Sequence, residues 1–191
     1  GYPLLTDEVL CQSSGNRTIY RYSDTQRVVR IDTAQQRYIF PQYLDGEWFK
    51  GAGKQPWQTY GVSRLLPRPG VTNLILIVEG QKCVEIAHSR GIPALCLEAG
   101  DYSSQTAFDK LRAIKVKFER LLLVVLPDND IAGTNKANLI LHTARYFQLP
   151  ALLIDPLVVQ PQLIEGGDIE QMPNLDRDRL IQITKQKLTE Q

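Results

Sequence analysis

Apolar and polar positions follow two different patterns in the two parts of the chain. From residue 18 to 43, apolar residues recur at about every second position, which is typical of strands exposed on one side. Beyond residue 71, unbroken apolar runs alternate with segments of helical periodicity, which is typical of buried parallel strands joined by helices. The proline-rich break at 66–70 separates the two patterns. We predict three parts: a β-rich subdomain over 1–70, an α/β domain over 71–172, and a polar C-terminal helix or tail over 173–191.

The α/β part is predicted to be an open parallel sheet of about four strands flanked by helices. Its strands are predicted at 74–78, 93–97, 121–126 and 151–154, and its helices at 81–90, 104–119 and 134–148. In the β-rich part, turns are predicted around 24–26 and 32–34. Trp48 and Phe49 lie among glycines, which predicts an irregular segment with both aromatic rings in a small core.

Carboxylates follow the ends of the predicted strands. Glu79 and Gly80 follow the first strand, Asp128 and Asp130 follow the third, and Asp168 lies beyond the fourth. Because the carboxyl ends of parallel strands meet at one edge of a sheet, we expect these acids to converge. An acid cluster without histidine or cysteine suits Mg2+ or Mn2+ rather than zinc. Such metals are typical of phosphoryl-transfer and phosphodiester chemistry.

Each of these motifs also has a purely structural interpretation. A Glu-Gly pair after a strand is a common turn, and Asp128-Asn129-Asp130 is a good helix-capping sequence. Gly80 and Gly133 would allow close approach of a ligand to the backbone. Lys82, at the start of a predicted helix, is suited either to a phosphate or to solvent. His88 and His142 have no chemical partner nearby in the sequence, so we expect core or surface roles for both.

Composition narrows the class of protein. The chain has 191 residues, 43% of them hydrophobic and 23% charged, which is ordinary for a globular protein. No apolar stretch has the length of a membrane span, and no signal-peptide pattern is present. The three cysteines lack CxxC spacing, which argues against a zinc ribbon and a disulfide framework and favours the cytoplasm. Since the chain opens on Gly1, we expect a piece of a larger protein.

The charge balance differs between the two parts. Residues 1–70 hold nine Lys or Arg against six Asp or Glu, although the whole chain carries only +1. Arginines interspersed with aromatic residues in this part suggest contacts to nucleic acid, for which we nominate Arg21, Arg30 and Arg37. The alternative is that these arginines only cover a solvated strand face.

The acidic motifs, taken in order, resemble those of the Toprim domain shared by bacterial-type primases, topoisomerases, old-type nucleases and recombination-repair proteins. The resemblance covers about residues 71–172. Segments 77–83 (IVEGQKC) and 126–133 (LPDNDIAG) are most similar to the primase-type Toprim of phage, plasmid and mobile-element replication proteins. The third motif departs from the family pattern, since Ile169 and Glu170 follow Asp168 where family members often have a further Asp and a Trp.

The resemblance implies a Mg2+- or Mn2+-dependent DNA primase. It would be a nucleotidyltransferase that makes short RNA primers on single-stranded DNA from ribonucleoside triphosphates. Glu79 would be the general acid/base, Asp128, Asp130 and Asp168 would hold metal, and Gly80, Lys82 and Gly133 would contact nucleotide or phosphate. A helicase, in the same or another chain, would be a further partner, and we expect no membrane association. A nuclease using the same acids and a non-catalytic nucleic-acid- or nucleotide-binding module remain the alternatives.

Overall fold

Two β-sheets organise the structure, one antiparallel with five strands and one parallel with four. The computed structural model describes residues 11–97 and 104–190, and the statements below concern those residues. The strands of the first sheet pair antiparallel in sequence order: β1 (Cys11–Ser14), β2 (Arg17–Ser23), β3 (Gln26–Asp32), β4 (Arg37–Asp45) and β5 (Glu47–Lys50).

The second sheet has the order β7-β6-β8-β9, and all of its strands are parallel. Its strands are β6 (Asn73–Ile77), β7 (Ala94–Leu95), β8 (Leu121–Val125) and β9 (Ala151–Leu153). The helices are α1 (Gln81–Ser89), α2 (Ser104–Lys117), α3 (Ile131–Tyr146), α4 (Pro156–Val159) and α5 (Arg177–Thr189), with 3-10 turns at Val62–Arg64 and Ile169–Gln171. None of the helices in the described part of the chain combines the length and the apolarity that a membrane crossing needs.

The predicted fold class is confirmed: a parallel sheet of four strands flanked by helices follows a β-rich part with an antiparallel sheet of its own. The predicted strands and helices of the α/β part are present with ends shifted by a few residues. The largest shift is at α3, which begins at Ile131 rather than 134 because the Asp130 side chain caps it. The short helix α4 was not predicted; Asp155 caps it, and Pro156 occupies its first turn.

Side chains of the parallel strands alternate between two hydrophobic cores. Ile75 and Ile77 of β6 face the core that α2 and α3 cover, whereas Leu76 and the following Val78 face the opposite core. Burial on both faces explains why these strands are apolar throughout rather than alternating.

The antiparallel sheet packs into the second of these cores rather than standing apart from it. Tyr20, Tyr22 and Tyr60 are buried together with Leu76 and Ala87, and the rings of Tyr20 and Tyr60 meet edge to face with centroids 5.8 Å apart. Because the two sheets share one core, deleting the first seventy residues would expose apolar surface of α1 and β6. Functional tests of the β-rich part therefore call for point substitutions.

A buried polar network secures this junction. The Tyr60 hydroxyl donates to Glu85 Oε1 at 2.6 Å, and Arg64 Nη1 lies 3.0 Å from both Glu85 carboxylate oxygens. Since Nε2 of His88 faces the Ala94 carbonyl oxygen at 2.9 Å, that nitrogen carries the proton and Nδ1 accepts from Arg64 at 2.9 Å. Burial lowers the pKa of His88, which keeps the imidazole neutral. The expected structural role of His88 is thereby explained.

The expected core role of Trp48 and Phe49 is wrong. Both residues belong to the regular strand β5, where Trp48 is half-buried and Phe49 is 40% exposed. The Arg27 guanidinium lies 3.8 Å from the Trp48 ring centre, and the Phe49 ring stacks on Tyr43. The local glycines, Gly46 and Gly51, are turn positions with positive φ at the ends of this strand rather than signs of irregular chain.

We expect Tyr60→Phe to lower the free energy of unfolding by about 1.5–3 kcal/mol, the usual contribution of a hydrogen bond to a charged group. The substitution keeps the ring in the shared core and removes only the donor to Glu85. Urea unfolding measures the change, and Tyr146→Phe, at a side chain that is 72% exposed, is the matched control and should stay within about 0.5 kcal/mol of the parent. Equal stability of the Tyr60 and Tyr146 variants would show that the network does not hold the junction.

Candidate active site

The candidate site is built on the pairing of β6 with β8. The two strands run in parallel register from Asn73↔Leu121 to Ile77↔Val125, so both chains leave the sheet at the same edge. Glu79 follows β6 and Asp128 follows β8, and the backbone N–H of Asp128 donates to Glu79 Oε1 at 3.3 Å. The two acidic motifs that were predicted to converge are therefore in direct contact.

Lys136 is a member of the site that the sequence did not suggest. Its ammonium lies 2.6 Å from Glu79 Oε2, and both side chains are mostly shielded from solvent. Lys136 lies on α3 beside Gly133 and Ala137, which are buried. The local pattern gives no sign of this contact, because Lys136 and Glu79 are 57 residues apart in the sequence.

Asp128 is the electrostatic centre of the cluster. Burial raises its pKa to about 7, and the negative charges of Glu79, Asp168 and Asp130 add to the effect, while Lys136 opposes it. The predicted acids therefore lie close enough to repel one another. Any positive charge that enters the cluster, whether a proton or a cation, would be stabilised by these carboxylates.

Asp130 and Asp168 both cap helical turns. Asp130 Oδ1 accepts from the Gly133 N–H at 2.6 Å, and Asp168 Oδ1 accepts from the Glu170 N–H at 2.6 Å. Gln171 Oε1 in turn accepts from the Asp168 N–H at 2.7 Å, which completes a capping box. The capping interpretation of the second motif thus holds for Asp130. Both aspartates nevertheless lie close enough to Asp128 for their charges to contribute to its raised pKa.

Asn129 joins the second acidic motif to the third. Its N–H donates to the Gly167 carbonyl and its own carbonyl accepts from the Gly166 N–H, each at 2.8 Å. The side-chain amide also donates to the carbonyls of Leu163 at 3.1 Å and Ile164 at 3.0 Å. The sequence analysis assigned no separate role to Asn129, yet its hydrogen bonds tie the loop of Asp128 to the loop that precedes Asp168.

Two glycines serve the site in different ways. A Cβ atom at Gly133 would lie 2.6 Å from the Asp128 carbonyl oxygen and 2.7 Å from Glu79 Oε1, so only glycine fits between helix and strand ends. Gly80 has φ 76° at the start of α1, with no side chain capping the helix, so backbone N–H groups are presented at this end. Lys82, in the first turn of α1, is ion-paired with Glu170, so a phosphate would have to replace that partner.

The donors of the site fit a hard divalent cation. The carboxylates of Asp128, Asp130 and Asp168 are ligands of the kind that a hard divalent cation takes. The Lys136 ammonium and the Cys83 thiol share the site: Lys136 opposes the rise of the Asp128 pKa, and burial together with the charge of Asp168 raises the pKa of Cys83. In the described parts of the chain, however, no group of three or more His, Cys, Asp or Glu side chains is arranged as a finished metal site.

An open depression of about 600 Å³ adjoins the acids at the carboxyl ends of β8 and β9. Asp128, Asp130, Asp155 and Glu165 contribute to its lining, so four acids line a single depression. An anionic substrate such as a nucleotide would be repelled from such a surface without bound cations. Asp155 was not among the predicted acids, although it directly follows the fourth predicted strand.

The three nominated arginines do not share one surface. Arg30 Nε lies 2.7 Å from Asp32 Oδ2 and Arg37 Nε lies 3.1 Å from Asp32 Oδ1, so one aspartate pairs with both. Arg21 alternates with the buried Tyr20 and Tyr22 along β2 and therefore points to the opposite face of the sheet.

No protein-family model matches the chain, and no curated protein matches it. A solved structure of the bacteriophage T7 lagging-strand DNA polymerase, interacting with primase domains of two gp4 subunits bound to an RNA/DNA hybrid and dTTP, contains a chain to which this one is similar. The likeness covers 73% of this chain and 71% of that chain, with 14% sequence identity and a TM-score of 0.41. What the site can do must follow from its own side chains.

We expect Gly133→Ala to lower stability by about 1–3 kcal/mol, the usual cost of overpacking. At a helix position with open space around it, a change from glycine to alanine would raise the free energy of unfolding by up to about 1 kcal/mol through helix propensity. The sign of the measured change therefore shows whether the position is crowded. Chemical unfolding measures it, with Asn135→Ala, at an exposed position of α3, as the control that should be neutral or mildly stabilising. A stabilised Gly133 variant would mean that Glu79 and Asp128 do not press against the helix.

We expect Asp128→Asn to stabilise the protein at neutral pH when divalent ions are removed with a chelator. In the folded protein the pKa of Asp128 is about 7, whereas an unperturbed carboxyl has a pKa of 3.8. The folded state therefore holds this proton more tightly than the unfolded state does. The stability that results is fully present below about pH 4 and is lost as the pH rises to about 7. The asparagine variant does not undergo this loss. Its free energy of unfolding should exceed that of the parent by about 1–2 kcal/mol at pH 7.5, and the difference should vanish near pH 4. The difference is smaller than the whole pKa shift would give, because the carboxyl is partly solvated.

Unfolding curves at several pH values test this expectation. Asp24→Asn, at an exposed hairpin turn, is the control for a change of net charge. If the Asp128 variant were less stable than the parent at pH 7.5, the carboxylate would be a stabilising acceptor rather than a strained member of an acid cluster.

Proposed function

We propose that the protein is a divalent-metal-dependent nucleotidyltransferase of the primase type, which joins ribonucleotides into short primers on single-stranded DNA. The observation that carries this proposal is the convergence of Glu79, Asp128, Asp130 and Asp168 at one edge of a parallel sheet, with the pKa of Asp128 raised to about 7. Acid clusters of this kind are suited to Mg2+ and to the transfer of phosphoryl groups.

Asp128, Asp130 and Asp168 would hold the metal, which would neutralise phosphate oxygens and lower the barrier to attack by a hydroxyl group. The acid-lined depression beside them supports this assignment, because a triphosphate could occupy it only if cations offset its charge. Backbone N–H groups at the start of α1, next to Gly80, are a second place for phosphate oxygens. Lys82 is close enough to assist once it leaves Glu170.

Glu79 would move the proton of the attacking hydroxyl. It approaches the site from a different strand than the aspartates do, and the Asp128 N–H and the Lys136 ammonium fix its two oxygens separately. A carboxylate held at both oxygens has one orientation, which general acid/base catalysis requires. Lys136 is a positioning residue in this scheme, since its ammonium is ion-paired with Glu79.

The direct test is incubation of the purified protein with single-stranded DNA, labelled ribonucleoside triphosphates and Mg2+ or Mn2+. Extended product resolved on a denaturing gel supports the proposal. Shortened DNA would replace it with hydrolysis by the same acids, and no reaction with retained DNA binding would indicate a non-catalytic module. Asp128→Asn should abolish the divalent-dependent activity while the protein stays folded.

We expect Glu79→Gln to reduce primer synthesis by about 10²–10⁴-fold, the usual contribution of a positioned acid or base. Affinity for single-stranded DNA should be nearly unchanged, because the amide keeps the shape and one acceptor oxygen. Initial rates and fluorescence anisotropy on the same preparation separate the two effects. A parallel loss of affinity and rate would instead assign Glu79 to metal binding or to folding. Lys136→Met serves as the comparison, because it keeps the Glu79 carboxylate but removes its ion-pair partner and the positive charge near Asp128.

A further inference from the structure

The strand register of the antiparallel sheet sorts its charged side chains onto opposite faces. The pairs Arg21↔Arg27 and Arg27↔Gln42 place these side chains on one face, and Gln42↔Lys50 adds the lysine. The contact from Arg27 Nε to Gln42 Oε1, at 2.8 Å, confirms that neighbours in this row touch. Arg17 lies four residues before Arg21 on β2, and because side chains alternate along a strand, this even spacing puts both on the same face.

This outer face is positive and lacks opposing charge. It carries Arg17, Arg21, Arg27 and Lys50, whereas the acids among the described residues of the five strands, Asp32, Asp45 and Glu47, occupy alternate positions on the other face. Burial lowers the pKa of Arg27, and the positive charges of Arg17 and Arg21 contribute to the same effect. The cations are thus close enough to repel one another.

Aromatic rings lie among these cations. The Arg27 guanidinium stands over the Trp48 ring, and Lys50 Nζ lies 5.1 Å from the centre of the Phe40 ring. Tyr38, in the register row Arg17↔Ile31↔Tyr38, points to the same face and is 46% exposed. A surface with both rings and cations, and without carboxylates, is complementary to a chain that carries phosphates and exposed bases.

We propose that this outer face, formed by Arg17, Arg21, Arg27, Tyr38, Trp48 and Lys50, binds single-stranded DNA. The inference rests on the proposed function in taking the template strand as the partner. Cations on this face neutralise phosphates, and the rings favour a single strand over a duplex because only unpaired bases present their faces for stacking. Arg30 and Arg37, compensated by Asp32 on the other face, do not take part.

The matched pair Arg21→Gln and Arg37→Gln tests the proposal. Each substitution removes one positive charge from an exposed arginine of the same sheet, so general electrostatic effects are equal in the two variants. Binding is measured by fluorescence anisotropy with a labelled oligothymidylate at several salt concentrations, in a chelator and without nucleotide. Because each phosphate contact to a single strand contributes about 0.7 to the slope of log affinity against log salt, Arg21→Gln should flatten the slope by about 0.7 and Arg37→Gln should leave it unchanged.

Arg17→Gln should behave like the Arg21 variant, and a duplex of the same length should bind more weakly than the single strand. Equal slopes for the Arg21 and Arg37 variants, tighter binding of the duplex, or no binding of oligothymidylate by the parent would each overturn the proposal. With equal slopes, the face would become a candidate for an acidic protein partner. Since the assay contains neither metal nor nucleotide, its result is independent of whether the acid cluster makes primers.

Discussion

Electrostatic repulsion among carboxylates at one edge of the parallel sheet is the constraint on which the rest of the site depends. The pairing of β6 with β8 forces Glu79 and Asp128 together, and the fold tolerates this through local compensation. Lys136 offsets Glu79 and partly opposes the shift at Asp128, whose pKa rises to about 7 through burial first and the neighbouring carboxylates second. A fold that concentrates acidic side chains in this way is less stable than it need be at neutral pH, which is common at functional sites.

The backbone around the acids is more rigid than the acids themselves. Asn129 fastens the loop of Asp128 to the loop of Asp168, and the capping bonds of Asp130 and Asp168 fix where each side chain starts. Each capping bond occupies Oδ1 of its aspartate and leaves Oδ2 outside the cap. The site therefore combines a fixed backbone with aspartates that each keep a second carboxylate oxygen outside the capping bond.

The sequence was sufficient for the parallel sheet because its strands are buried on both faces, and such runs differ clearly from the helical segments between them. It also placed Glu79 and Asp128 together, since strand ends on one edge converge whatever the details of packing. Lys136 and Asn129 were missed for a physical reason: their roles depend on contacts across 57 and about 35 residues of chain. Local pattern carries no information on contacts of that range.

In the antiparallel sheet, too, the local sequence pattern could not predict which side chains come together. Composition identified a basic, aromatic-rich segment, but strand register decides which side chains share a face, and a shift of one residue would exchange the two sets. The observed register leaves Asp32 between Arg30 and Arg37 and leaves Arg21 with Arg27 and Arg17. The inner face packs into the core shared with α1 through Tyr20 and Tyr22, and its cations, Arg30 and Arg37, are paired with Asp32. The strand register, together with this packing, therefore leaves the uncompensated cations on the outer face, whereas the pairing of β6 with β8 sets the acidic edge.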